Sequence, residues 1–253
     1  MVQAGGASEL IKVGVVGAKG RMGRQVVQTV QDSTTCELTA AIDQGEDLSL
    51  LDDCDVIVDF TNPDVVMATL EHCIGHGVHC VVGTTGFDET RLEQLRTWLA
   101  DAPDVSVIVA PNFGIGAVLM MQFAQAAAPY FESVEIIELH HPDKVDAPSG
   151  TARRTAELIA QSRAEHGLAA SPDATTQEIP GARGADLEGI RVHSVRARGL
   201  VAHQEVILGG LGETLTIRHD SMDRSSFMPG VLLAVEKVAQ HPGLTVGLDS
   251  FLS

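Results

Sequence analysis

The sequence has few aromatic residues, few cysteines and a shortage of basic residues. Phenylalanine, tyrosine and tryptophan make up 4% of the 253 residues, so the core must be built mainly from aliphatic side chains. That mixture favours a sheet of aliphatic strands covered by helices rich in alanine and leucine. No Cys-x-x-Cys pair occurs, and we expect all four cysteines to be free thiols: Cys36, Cys54, Cys73 and Cys80.

The shortage of basic residues gives 17 Lys and Arg against 34 Asp and Glu, a formal net charge of -17. Such a surface repels polyanions, so we expect no nucleic acid and no membrane as partner. Small carboxylates are not excluded, because a few local cations and backbone N–H groups suffice to bind them. No stretch approaches the roughly 20 apolar residues of a membrane span, and residues 1–10 lack the pattern of a signal peptide. We therefore expect a cytoplasmic protein.

The first part of the chain alternates between strand and helix patterns. Near-continuous apolar runs of strand length indicate strands buried on both faces, which is typical of a parallel sheet with helical crossovers. The predicted strands are residues 11–16, 38–42, 56–60, 78–82 and 105–110, and the predicted helices are 24–31, 64–76 and 88–100.

The pattern changes after Pro111. Helices are predicted at 117–128, 151–166 and 227–239, a strand at 134–139 and a polar loop at 167–189. Residues 190–198, 202–208 and 214–219 alternate in polarity, which predicts antiparallel strands with one buried face. The predicted fold class is α/β: a Rossmann-like parallel sheet domain plus a C-terminal α+β domain with a mostly antiparallel sheet. The last helix can return to either domain.

A glycine-rich turn, Gly17 to Gly23, follows the first predicted strand. Glycines let the backbone approach a pyrophosphate, whose charge is met by N–H groups at the helix start. Asp43 ends the second strand at about the spacing expected of an acid that binds ribose hydroxyls. The spacing is G-x-x-G-x-x-G rather than the commoner G-x-G-x-x-G, and the alternative interpretation is a plain tight turn. With the flanking strand, helix and acid, a dinucleotide site is favoured.

The choice of cofactor stays open at this point. Asp43 favours the free 2′-hydroxyl of NADH, and Gln44 stands where an arginine would suit a 2′-phosphate. Lys19 and Arg21 in the turn are nevertheless able to reach such a phosphate, so we expect NADH and NADPH both to bind. Two further strand ends, residues 83–86 and 110–113, are expected at the same crevice, although ordinary loops are the alternative.

The most unusual stretch is residues 138–151, which read ELHHPDKVDAPSGT. Reduction of a C=N bond needs a proton beside the hydride, and His140 or Lys144 can supply it as a general acid. His141 and the remaining cation can hold a carboxylate, and Ser149 to Thr151 open a helix whose N–H groups suit an anion. Adjacent histidines without a third ligand at suitable spacing predict no metal. A solvated connection that ends in a helix cap is the other alternative.

Four separated motifs make the sequence recognisable: GAKGRMG, VVGTTGF, APNFGIG and ELHHPDKVDAPSGTA. With GETLTIRHDS and SFMPGVLLA further on, the whole chain resembles the 4-hydroxy-tetrahydrodipicolinate reductase (dihydrodipicolinate reductase) family, in particular its actinobacterial type. The resemblance implies a dinucleotide-binding domain at residues 1–113 and 222–253. Residues 114–221 would form a substrate-binding and oligomerisation domain whose sheet builds a homotetramer.

The implied activity is the NAD(P)H-dependent reduction of 4-hydroxy-tetrahydrodipicolinate (dihydrodipicolinate), a small cyclic dicarboxylate, to tetrahydrodipicolinate in diaminopimelate and lysine biosynthesis. By position, His140 matches the family's acid-base histidine and Lys144 its proton donor. Asp143 departs from the family's usual pattern. Because it is an acid beside Lys144, it leaves open whether His140 or Lys144 donates the proton. The candidate substrate-binding residues are His141, Ser149, Gly150 and Thr151. The candidate cofactor-binding residues are Gly17, Ala18, Lys19, Gly20, Arg21, Met22, Asp43, Phe60, Gly83, Thr84, Thr85, Ala110, Pro111, Asn112 and Phe113.

Two rival functions fit the same nucleotide fold. One is another small-molecule dehydrogenase on the same fold, in particular an aldehyde or semialdehyde dehydrogenase. Aldehyde chemistry usually needs a thiolate in the second half of the chain, but every cysteine precedes residue 81. A non-catalytic NAD(H)-binding sensor would keep the fold and lose the chemistry. The presence of both His140 and Lys144 argues against that loss.

Overall fold

The computed structural model describes residues 9–252. Most of the segment that was predicted to lack a signal peptide, residues 1–10, lies outside this range. The chain forms two compact units: unit 1 runs to Phe113 and resumes at Phe227, and unit 2 runs from Gly114 to Ser226. No helix within residues 9–252 is long and apolar enough to cross a bilayer. All four cysteines are free thiols, as predicted, and all four are buried.

Unit 1 is a parallel sheet with helical crossovers, and its six strands lie in the order β11-β5-β4-β3-β1-β2. The Rossmann-like prediction is confirmed, because every neighbouring pair of these strands is parallel. With elements numbered along the whole chain, the strands are β1 Ile11–Val16, β2 Cys36–Ile42, β3 Val56–Asp59, β4 His79–Val82, β5 Ser106–Val109 and β11 Gly243–Val246, and the helices are α1 Arg21–Gln31, α2 Val66–Gly75, α3 Glu89–Ala100 and α6 Met228–Lys237.

The core of unit 1 is aliphatic, as the composition predicts. The central strands β3 and β5 are buried at every position, and side chains of α2 and α3 cover them. Leu70 and Leu95 are fully buried there, and burial of each such side chain contributes about 1.5–3 kcal/mol. The last helix, α6, belongs to this unit. A Cβ on its Gly230 would lie 2.0 Å from the Phe113 carbonyl oxygen, so the helix is pressed against the end of the 110–113 segment.

Strand β11 was not predicted. It contains four residues, begins at Gly243 and is followed by Gly247, and it pairs along one side only, with β5. A short, half-exposed edge strand buries little apolar surface, so its residues show neither a continuous apolar run nor a clear alternation.

Unit 2 contains a five-stranded sheet in the order β10-β9-β6-β8-β7, and helices cover one face of it. Apolar side chains of both layers form its core, among them Ile136, Leu208 and Ile159. The strands are β6 Ser133–His140, β7 Ala185–Leu187, β8 Ile190–Arg196, β9 Ala202–Gly210 and β10 Glu213–Ser221, and the helices are α4 Ile115–Ala127 and α5 Gly150–Glu165.

Three of the four strand pairings in unit 2 are antiparallel, so the predicted mostly antiparallel sheet is confirmed. One detail of this prediction is wrong. The strand expected at 190–198 was predicted to be antiparallel, but β8 pairs in parallel with β6, which lies between β8 and β9. The crossover that allows this contains α5. Strand β7 lies inside the stretch predicted as a loop, and it is only three residues long.

The second segment of unit 1 begins at Phe227, and the domain boundary at residue 222 stays a prediction. A short 3-10 helix, Arg224–Phe227, follows β10, and the hydroxyl groups of Ser221 and Ser226 are hydrogen-bonded at 2.7 Å. This bond ties residues 222–226 to the end of β10. The assignment of distinct functions to the two parts remains a prediction.

Candidate functional site

The glycine turn of unit 1 depends on close backbone packing. Gly17 has a φ of +81°, and a Cβ there would lie 2.6 Å from the Phe60 carbonyl oxygen; a Cβ on Gly23 would lie 2.0 Å from the Gly17 oxygen. Helix α1 begins at Arg21 with Gly20 as an N-cap that offers no side chain. The N–H groups of a helix's first turn have no intrahelical acceptor and suit an anion. The turn therefore has the form of a pyrophosphate cradle.

Asp43 lies beside this turn, as predicted. Its Oδ1 accepts a hydrogen bond from the Gln44 N–H at 2.9 Å and its Oδ2 one from the Lys19 N–H at 2.8 Å. These two N–H groups, that of Gln44 above all, lower the pKa of Asp43. The carboxylate is thus anionic near neutral pH and keeps lone pairs for ribose hydroxyls. The Lys19 ammonium lies 3.4 Å from Glu46.

A buried acid that the sequence analysis missed joins the ends of β3 and β4. Asp59 is 0% exposed, and its Oδ1 accepts hydrogen bonds from the Thr84 hydroxyl at 2.6 Å and from the Thr61 hydroxyl at 2.8 Å. Burial raises its pKa, and its Oδ2 has no partner among the described residues. The carboxyl group fixes Thr84, one of the candidate cofactor residues. An acid that ends an otherwise apolar strand, VIVD, was the signal available in the sequence.

Three strand ends meet around Phe60. A Cβ on Gly83 would lie 2.1 Å from the Phe60 ring, and the rings of Phe60 and Phe113 lie 5.7 Å apart. Unit 1 thus brings together the predicted residues at the carboxyl ends of β1, β3, β4 and β5, where open parallel sheets bind ligands. Of these residues, Thr85 and Pro111 are exposed, and Ala110 and Phe113 are buried.

In unit 2, one face of β6 changes from apolar to ionisable along its length. Val134 and Ile136 belong to the core beneath the helices, and Glu138 and His140 continue the same row, because alternate residues of a strand share a face. Glu138 is 0% exposed and accepts two hydrogen bonds from the guanidinium of Arg196, both at 2.8 Å. Burial alone would raise the pKa of Glu138, but Arg196, Ser194 and His140 together lower it. A buried carboxylate therefore lies at the end of β6.

This carboxylate orients His140. Nδ1 of His140 lies 2.5 Å from Oε2 of Glu138. Because a carboxylate only accepts, Nδ1 carries the proton, and Nε2 is left as the basic atom of the neutral ring. Burial lowers the pKa of His140, with Lys144 and Arg196 acting in the same direction and Glu138 opposing them. His140 is therefore mostly neutral at pH 7.

Lys144 is held on the loop that follows β6. Its Nζ lies 2.7 Å from Oδ1 of Asp146, and this ion pair lowers the pKa of Asp146. Arg196 donates a further hydrogen bond to the Asp146 carbonyl oxygen at 2.7 Å. Asp143, the acid expected beside Lys144, is exposed, and the acid in contact with the ammonium is Asp146.

Helix α5 begins beside this group. Ser149 is its N-cap: the hydroxyl accepts from the Ala152 N–H at 3.2 Å, and its own N–H donates to Glu138 at 3.2 Å. Ser149 is buried, so the structure gives it a capping role, whereas Gly150 is exposed at the first turn and Thr151 is half-buried. His141 is exposed next to His140. Unit 2 thus assembles an imidazole, an ammonium and a helix start, and Glu138, Arg196 and Asp146 are the contributors that sequence reasoning missed.

Comparisons with known proteins identify the family. Residues 11–113 match the family model "Dihydrodipicolinate reductase, N-terminus" and residues 116–252 match "Dihydrodipicolinate reductase, C-terminus". The chain is 59% identical over 244 residues to the 4-hydroxy-tetrahydrodipicolinate reductase of Nocardia farcinica, with 96% of this chain and 98% of the relative covered. It is 60% identical over 244 residues to that of Mycolicibacterium gilvum, with 96% and 99% covered. The predicted actinobacterial type is confirmed.

Solved structures give the same result. The dipicolinate-bound dihydrodipicolinate reductase of Paenisporosarcina sp. TG-14 superposes with a TM-score of 0.86 at 38% identity and covers 96% of this chain and 99% of its own. The apo scyllo-inositol dehydrogenase of Lactobacillus casei superposes with a TM-score of 0.60 at 12% identity, over 97% of this chain and 93% of its own. This likeness shows a shared fold alone. The two family models together span nearly the whole described chain, and the chain belongs to the dihydrodipicolinate reductase family.

Proposed function

We propose that this chain catalyses the NAD(P)H-dependent reduction of 4-hydroxy-tetrahydrodipicolinate to tetrahydrodipicolinate in diaminopimelate and lysine biosynthesis. The observation that carries the proposal is the cluster at the end of β6, where a buried carboxylate orients His140 beside the ammonium of Lys144 and the start of α5. A family member bound to dipicolinate, a planar cyclic dicarboxylate, supports the substrate class.

In this proposal, unit 1 holds the dinucleotide. Bound NADH or NADPH supplies the hydride. The N–H groups at the start of α1 bind the pyrophosphate, and the Asp43 carboxylate accepts from the ribose hydroxyls. An anionic Asp43 favours NADH, while the exposed side chains of Lys19 and Arg21 allow a 2′-phosphate. Thr84, fixed by Asp59, and the ring of Phe60 line the remaining part of the site.

In the same proposal, unit 2 holds the substrate and moves the protons. His141 and the N–H groups at Gly150 and Thr151 bind its carboxylates. Lys144, which carries an ammonium in its ion pair with Asp146, donates the proton that completes the reduction. Neutral His140 accepts a proton at Nε2, which suits a base during loss of water from the hydroxylated ring. Ser149 acts as the helix cap.

The direct test follows oxidation of the reduced nicotinamide by its near-ultraviolet absorbance, with freshly prepared substrate. Wild-type protein should consume the cofactor, and Lys144→Ala should lower kcat by about 10²- to 10⁴-fold while the NADH dissociation constant stays unchanged. Arg154→Ala, which removes an exposed cation from α5, is the control and should keep full turnover. Tight NADH binding without turnover in the wild type would instead identify a sensor.

The assignment of the proton donor has its own test. If Lys144 donates the proton, kcat of the wild type should fall at alkaline pH, where the general acid is deprotonated. This alkaline fall should be absent from the profile of Lys144→Ala and present in that of His140→Gln. The reverse result would exchange the two roles.

We further propose a cytoplasmic homotetramer built through the sheet of unit 2. The support is the exposure of β10, an edge strand with six of its nine positions open to solvent, including Leu215 at 39%. Light scattering after size exclusion should give four times the chain mass, and a monomeric mass would exclude the assembly.

A further inference from the structure

A second group of ligating side chains lies in unit 1, in a part of the fold that the proposed reaction does not use. It consists of Asp52, His72 and His76, here called the Asp52 cluster. Each offers one ligand atom, and these atoms all lie within 4.8 Å of one another. Within residues 9–252 it is the only such group of three His, Cys, Asp or Glu side chains. From the sequence, metal binding was considered only for His140 and His141.

Local structure holds the two histidines side by side. They are separated by one turn at the end of α2, where residues i and i+4 share a face, and their ring centroids lie 4.1 Å apart. Nδ1 of His76 donates to the His72 carbonyl oxygen at 2.7 Å. This bond fixes the tautomer of His76 and leaves its Nε2 unprotonated, which is how histidine ligands are usually oriented.

The carboxylate comes from a different element. Asp52 caps the short 3-10 helix Leu48–Leu51, and its Oδ1 lies 2.7 Å from Nε2 of His72. A cation would take the place of the proton that these two atoms now share. The surroundings favour a cation, because residues 46–55 contain five acidic side chains.

The spacing of the Asp52 cluster fits a transition-metal ion. Nitrogen and oxygen ligands lie about 2.0–2.2 Å from zinc in a tetrahedral site, which places ligand atoms roughly 3.3–3.6 Å apart. Small side-chain rotations bring the three atoms to that spacing, since Asp52 and His76 are exposed. Three protein ligands leave the fourth position to water. Two imidazoles and one carboxylate favour zinc and its neighbours over magnesium or calcium, which take oxygen ligands.

We propose that Asp52, His72 and His76 bind one divalent transition-metal ion of the zinc type, which ties the end of α2 to the 3-10 helix before β3. Helix α2 runs from the carboxyl end of β3 to the amino end of β4, so the Asp52 cluster lies at the amino ends of the strands. The glycine turn and Asp43 lie at their carboxyl ends. Zinc therefore binds independently of NADH.

The test is calorimetric titration of the full chain with zinc chloride after treatment with a chelator. The wild type should bind one zinc ion at this site. Loss of an outer-shell partner alone costs about 10- to 100-fold in metal affinity, so His72→Ala, His76→Ala and Asp52→Asn should each weaken binding at least tenfold. These side chains lie at the surface, and circular dichroism verifies that the variants fold.

His166→Ala is the matched control. His166 also caps a helix, with Nδ1 2.7 Å from the Ser162 carbonyl oxygen, but it belongs to no group of three ligands. It should keep wild-type affinity. Repeating the titration with saturating NADH should give the same affinity. Absence of zinc binding in the wild type, or equal affinity in the wild type and all three cluster variants, would overturn the proposal and leave the reductase assignment untouched.

Discussion

The buried pair of Glu138 and Arg196 gives a quantitative prediction for Glu138→Gln. Glu138 now accepts two hydrogen bonds from Arg196, both at 2.8 Å. The glutamine keeps the side-chain volume, but its amide N–H₂ is a donor that faces one of these two Arg196 donors. Removal of one partner of a buried ion pair costs about 3–5 kcal/mol. Glu138 is fully buried while the Arg196 side chain is 20% exposed. Some water can therefore solvate the guanidinium, and we expect the lower end, about 3 kcal/mol.

The measurement is the free energy of unfolding from urea titration, with the midpoint of thermal unfolding as a second readout. At about 2–4 °C per kcal/mol for a chain of this size, the melting temperature should fall by about 6–12 °C. Glu157→Gln is the matched control, because its pairing with Arg154 is exposed on both sides. Such surface pairs contribute about 0–1 kcal/mol. A loss below about 1 kcal/mol for Glu138→Gln, equal to the control, would refute the reasoning from burial.

Three further predictions concern the two candidate sites. Asp43→Ala should weaken NADH affinity, measured by fluorescence titration, by about 1–3 kcal/mol, since the ribose hydroxyls lose a charged acceptor; unchanged affinity would exclude Asp43 from the site. Gly83→Ala should lower both stability and NADH affinity, because its Cβ would lie 2.1 Å from the Phe60 ring, and Gly75→Ala, where nothing lies within 4 Å, is the control. His140 has a pKa lowered below 6.5, mainly by burial, so its contribution to stability is present above pH 6.5 and is lost as the pH falls through the folded-state value. His140→Gln should flatten this part of the curve of unfolding free energy against pH, and a slope identical to that of the wild type would contradict the assignment.

Much of unit 1 follows from the sequence, because its strands are buried on both faces and leave continuous apolar runs. The same logic placed Asp43 beside the glycine turn, since both follow strands that end at one edge of the sheet. Asp59 was missed because a single acid inside the predicted strand 56–60 does not by itself reveal a bonding partner. Only the fold shows that its carboxyl group is buried and bonded to Thr84, which is 25 residues further along the chain.

Unit 2 was less predictable, because its key contacts join residues that are far apart in sequence. The His140 and Lys144 stretch was visible, but its partner Arg196 lies 58 residues after Glu138, and local patterns carry no information on which strand pairs with which. The alternation of β8 predicted a half-buried strand correctly. It did not reveal a parallel neighbour, since alternation is the same in either direction.

The direct pairing of His140 with Arg196 across β6 and β8 means that strand alignment places the guanidinium where it adds to the lowering of the His140 pKa, which burial mainly causes. If β8 slid by a single position, Val195 or Ala197 would stand opposite His140, and the guanidinium would turn to the other side of the sheet. The buried Glu138 would then face the ring without a permanent positive charge. If His140 takes part in the proposed proton transfer, a deletion in the turn before β8 should change that step through the strand pairing, without altering the loop that carries Lys144.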